Sequence, residues 1–87
     1  MKFKTKIYVR LRKAVSDSAG NAVMAACSRM SDMTFSKLRL GKLIEIEFEA
    51  DSEEYADKEI KKLCQRFLSN DVIEDFEYNV WSVENHD

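Results

Sequence analysis

Few residues in this chain have the type and spacing that chemistry requires. Hydrolysis through a side-chain nucleophile needs a base within reach, and the only histidine is His86, next to the end of the chain, where a solvated, disordered side chain is expected. A zinc centre needs four ligands, or three and a water. Cys27 and Cys64 stand on separate apolar helical stripes and belong to no C-x-x-C unit, so no metal site is expected. They read as reduced core thiols of a cytosolic protein. A phosphate cradle needs clustered glycines before a helix, whereas Gly20 and Gly41 lie twenty-one residues apart. Carboxylates are plentiful at Glu45, Glu47 and Glu49, and amines at Lys2, Lys4 and Lys6. The carboxylates alternate along a strand opposite lysines, which points to structural ion pairs before acid–base work.

The elements that carry these groups follow from periodicity. From Lys2 to Arg12 the odd positions hold Phe3, Thr5, Ile7, Val9 and Leu11, and the even ones are mostly basic. From Ile44 to Ala50, apolar residues alternate with Glu45, Glu47 and Glu49. A period of two puts alternate side chains on opposite faces, so both segments read as half-buried strands. Laid side by side, their outer rows pair, each favourable pair contributing roughly 0.2–1 kcal/mol.

Asp17 is placed to cap a first helix, whose stripe is Ala19, Ala22, Val23, Ala26, Cys27 and Met30. Its small residues suit a helix lying close to a sheet. Phe35 to Leu40 reads as a short strand, and Gly41-Lys42 as the tight hairpin that joins it to the acidic strand. Asp51, with Glu54 three residues on, is expected to open a second helix. That helix has the stripe Ala56, Ile60, Leu63, Cys64, Phe67 and Leu68. A last strand presents Phe76, Tyr78 and Val80 on one face and Glu77, Asn79 and Trp81 on the other.

The order predicts an α+β, ferredoxin-like β-α-β-β-α-β fold: a four-stranded antiparallel sheet with two helices on one face. The second and fourth strands would form the edges. Residues 1–87 are expected to form one domain, with 84–87 a frayed tail. Fourteen basic against sixteen acidic residues give a formal charge of −2, which argues against a nucleic-acid binder. No apolar run reaches the roughly 18–20 residues that span a bilayer, so no membrane is expected as a partner. Trp81, on an outward-facing edge strand, is of the type that most often anchors interfaces.

Three segments carry a resemblance. They are V-R-L-R-K-A-V-S-D-S-A-G at 9–20, L-R-L-G-K-L-I-E-I-E at 38–47, and C-Q-R-F-L-S-N-D-V-I-E-D-F at 64–76. In register, they resemble the D-P-x-G helix start, the R-x-G-K hairpin and the C-x-x-L-L-x-N-P-V-I-E-x-Y ending of one family. That family is the PurS-type small subunit of phosphoribosylformylglycinamidine synthase. Ser18 and Asp71 stand where the family has proline, and Ser31-Asp32-Met33 lacks the usual Leu-Gly.

The resemblance implies a multi-chain enzyme of de novo purine biosynthesis. A glutaminase subunit releases ammonia from glutamine. An ATP-dependent synthetase subunit, using ATP with Mg, activates the formyl amide oxygen of the substrate, and ammonia displaces it. The small subunit is implied to be a non-catalytic bridge between the two that supports ammonia transfer, self-associates to a dimer or tetramer in the cytoplasm, and binds no cofactor itself. By motif match, Arg39, Gly41, Lys42 and Asn70 join Trp81 as candidate partner-interface residues. Gly41 would permit the hairpin, Arg39 and Lys42 would hydrogen-bond a partner, and Asn70 would cap the second helix at its end. The alternative reading is a ferredoxin-like regulatory or RNA-binding module.

Overall fold

The computed structural model describes residues 1–83. His86 and the frayed tail expected at 84–87 lie outside the described residues. The alternating segments form strands: β1 (Lys2–Leu11), β2 (Gly41–Glu49) and β3 (Glu74–Ser82). Helix α1 covers Ser18–Met30, and α2 covers Glu53–Leu63, continuing as a π-helical turn over Cys64–Leu68.

Among the described residues the sheet has three strands, not four, in the order β2-β1-β3 with both pairs antiparallel. The basic strand is thus central, and the acidic strand β2 is an edge. The register places Lys2, Lys4 and Lys6 opposite Glu49, Glu47 and Glu45, as the alternation implies. On the other side, Tyr8 and Arg10 face Glu77 and Asp75 of β3.

The strand expected at Phe35 to Leu40 is absent, and Gly41-Lys42 is not a hairpin. Gly41 pairs with Arg10 and Lys42 with Val9, so both lie inside the β1–β2 ladder. Two-residue hairpins need positive φ, which no described residue adopts. Instead, the Leu40 amide donates to Asp17 Oδ2 at 2.8 Å. A side-chain acceptor 23 residues away thus takes a donor that a strand would have used.

Both faces of the sheet follow the alternation. Phe3, Thr5, Ile7 and Val9 of β1 are buried, as are Ala56, Ile60 and Cys64, and Ile7 and Val9 cluster with Ile60 and Cys64. Phe3 stacks on Phe48 with ring centroids 5.7 Å apart. Helix α2 opens at Ser52, whose Oγ accepts from the Tyr55 amide at 3.1 Å, and not at the expected Asp51. Glu53 and Glu54 in its first turn and Lys61 and Lys62 in its last agree with the helix dipole.

The stripe of α2 is only half covered. Leu63 is exposed, and Phe67, on the π-helical turn, is 80% exposed. Helix α1 departs further from expectation. It is capped by Asp17 as predicted, yet Gly20 is its only buried residue and Met30 is 87% exposed. It does not lie along the sheet. With α2 set toward β3, Ile44, Ile46 and Phe48 of β2 remain half-buried.

Candidate assembly site

The candidate residues from the two central motifs converge at one end of the sheet, around two carboxylates. Asp17 is 6% exposed. Its Oδ1 accepts from the Gly20 amide at 2.8 Å and its Oδ2 from the Leu40 amide, also at 2.8 Å. Those two bonds, Leu40 first, hold the carboxyl below its ordinary range. Desolvation opposes the shift, and the nearby Arg39 charge adds to it.

Gly20 is required here by space. A Cβ at this position would sit 2.5 Å from Asp17 Oδ2 and 2.9 Å from the Leu38 carbonyl oxygen. Arg39 does not reach outward as expected. Its Nη2 donates to the carbonyl oxygens of Arg12 at 2.9 Å and Val15 at 2.8 Å, stapling the β1–α1 loop to the strand that follows.

Glu74 is the second carboxylate. Its Oε1 accepts from the Asn70 amide at 2.6 Å, and its Oε2 lies 3.9 Å from Lys42 Nζ. Asn70 does not cap α2: Ser69 ends the helical stretch, its amide and Oγ both donating to the Cys64 carbonyl oxygen. Asn70 builds the turn into β3, its Oδ1 accepting from the Val72 amide and its carbonyl oxygen from Ile73 and Glu74. Gly41 lies beside these groups, where a Cβ would stand 3.0 Å from the Val9 carbonyl oxygen. A shallow groove of about 240 Å³ runs between Asp17, Leu40, Gly41, Lys42 and Glu74.

Trp81 is not part of this cluster. It pairs with Lys4 near the other end of the sheet, on the outer face, and is 38% exposed. There it borders an open groove shared with Lys4, Lys6, Glu45 and Glu47. That outer face is largely neutralised within the chain. Lys4 meets Glu47 at 3.1 Å, Arg10 meets Glu77 at 2.6 Å, and Arg12 meets Asp75 at 3.3 Å.

Asp17 was legible in the sequence only as a helix cap, and its second bond was not. Glu74 stood in the sequence only as the Glu of the third motif, four residues after Asn70, with no role assigned. Both cysteines carry free thiols. Cys64 is buried, and desolvation raises its pKa, as befits an inert core thiol. Among the described residues no group of three His, Cys, Asp or Glu could hold a metal ion, and no helix is long and apolar enough to cross a membrane.

Fold and site define a class: a small α+β protein whose polar groups bind its own backbone, while one helix and half a sheet face stay unpartnered. The profile of the PurS family, phosphoribosylformylglycinamidine (FGAM) synthase, matches residues 4–82. The PurS subunit of Bacillus subtilis is 37% identical over 81 residues, covering 93% of this chain and 95% of that one. The PurS subunit of Thermotoga maritima is 37% identical over 75 residues, covering 86% and 92%. Among solved structures, a chain of PurLQS from Thermotoga maritima superposes with a TM-score of 0.84 at 34% identity, covering 93% of this chain and 99% of that one. The chain belongs to the PurS family, and so to the small subunits of phosphoribosylformylglycinamidine synthase.

Proposed function

We propose that this chain is the bridging subunit of a multi-chain phosphoribosylformylglycinamidine synthase. It holds the glutaminase and synthetase subunits together and supports passage of ammonia between them. The observation that carries this reading is the match to the PurLQS chain along nearly the whole length of both. ATP with magnesium and glutamine are used by the other subunits, and this chain contributes shape and contact in place of reacting groups. The free thiols of Cys27 and Cys64 support a cytoplasmic setting.

Self-association is part of the same reading. The radius of gyration is 17.1 Å, against about 12 Å for a compact chain of this length. The accessible surface is 6825 Å², roughly 1,500 Å² more than a compact monomer of this mass exposes. A standard interface covers about 800 Å² per partner and an obligate homodimer about 1,000–2,500 Å², so the surplus is of the size that a second copy would bury in an obligate pair. An RNA-binding role finds less support, because Lys4, Arg10 and Arg12 already face carboxylates.

The test is reconstitution. Glutamine-dependent amidine formation by the glutaminase and synthetase chains is measured with and without this subunit, alongside co-purification of the three. The expected outcome is a stable complex and a loss of glutamine-fed activity of at least tenfold on omission. Full activity without the subunit overturns the reading.

A further inference from the structure

Helix α1 makes little contact with the three strands. Of its thirteen residues only Gly20 is buried, and Gly20 is buried against Asp17 and the Leu38 backbone. Asp17 in turn binds both the first turn of α1 and the Leu40 amide, one residue before β2. Arg39 closes the same corner by donating to the carbonyl oxygens of Arg12 and Val15. The loop before α1 and the segment after it are thus fastened to each other, while the helix between them stands away from the sheet.

We infer that Asp17, with Gly20 and Arg39, is a latch that fixes the direction in which α1 leaves the sheet, and that Asp17 thereby positions α1 to dock on a second copy of this chain. The inference rests on the self-association proposed above. The surplus surface is what argues for a second copy as the occupant. Each chain offers both halves of the contact: an exposed α1 stripe with Val23 and Met30, and a half-covered strand face with Ile44, Ile46 and Phe48. A two-fold pair satisfies both at once. A wandering helix would lose orientational entropy on docking, and a latched one has lost it already.

A latch differs measurably from a helix cap. Asparagine and serine cap helices about as well as aspartate, so Asp17→Asn and Asp17→Ser keep the bond to Gly20. Neither supplies a second carboxylate oxygen for Leu40. The dissociation constant of the full-length chain is measured by sedimentation equilibrium for wild type, Asp17→Asn, Asp17→Ser, Gly20→Ala and Val23→Asp. Amide exchange at Ile7 of β1 and Ile60 of α2 confirms that each variant is folded. The expected result is association weakened tenfold or more in all four variants, read as a higher dissociation constant, with faster exchange at Leu40 in the Asp17 pair. If Val23→Asp weakens association while Asp17→Asn and Asp17→Ser match wild type, the latch is overturned and Asp17 is only a cap. If Val23→Asp has no effect, or the wild-type chain stays monomeric, docking of α1 on a second copy is overturned instead.

Discussion

At the scale of single residues, two polar side chains inside the fold behave in opposite ways. Thr5 is 1% exposed, and its hydroxyl has no hydrogen-bond partner. A buried hydroxyl left unpaired costs about 1–3 kcal/mol, and valine has nearly the same shape. Thr5→Val is therefore expected to stabilise the chain by about 1 kcal/mol, seen as a higher urea midpoint at unchanged slope. Asp17 is the satisfied case, with both oxygens engaged. Its folded pKa lies below its unfolded one, so the unfolded chain binds the proton more tightly. The stability it adds is full above the unfolded pKa and is lost as pH falls through the folded one. The gap in urea midpoint between wild type and Asp17→Asn should therefore narrow on going from about pH 6 to about pH 2. A gap that holds steady across that range would show that the carboxylate charge is not what matters.

At the scale of elements, α2 and α1 bear different loads. Ile60 is buried against Ile7, Val9 and Cys64, and the Asp57 carboxylate of α2 lies beside Tyr78 of β3, helping to raise the tyrosine pKa after desolvation. Truncating a fully buried isoleucine costs about 2–5 kcal/mol. Ile60→Ala should thus remove much of the roughly 4–13 kcal/mol that a domain of this length holds. Denaturant titration of Met30→Ala, at the exposed end of α1, should show a change within about 0.5 kcal/mol when the chain is dilute enough to be monomeric, because the contact assigned to Met30 is with a second copy. The ion pairs along the outer face are solvated at both ends, and each adds at most about 1 kcal/mol. They set the register of the sheet more than its stability. With the wrong register, Lys4 would face something other than Glu47, and the apolar row would turn outward.

At the scale of the whole molecule, short-range patterns and long-range competition divide the result. The period-two rows of β1, β2 and β3, the sign of the charged row on each strand, the Asp17 cap and the dipole-matched ends of α2 all depend on residues a few positions apart. Those were determined by the sequence alone, as was the resemblance of the 38–47 segment to its family. At the end of the missing edge strand the Leu40 amide goes to an acceptor 23 residues away, a pairing that no local pattern marks. The standing-off of α1 depends on Gly20 fitting against Asp17 and Leu38, a clearance no periodicity encodes. The partners of Arg39 are backbone carbonyl oxygens, which every residue possesses and no side-chain pattern marks. Local alternation could therefore specify which face of each strand is apolar. Only the tertiary structure decided what would cover it, because a hydrogen bond between distant segments forms or fails according to geometry that exists only once the chain has folded.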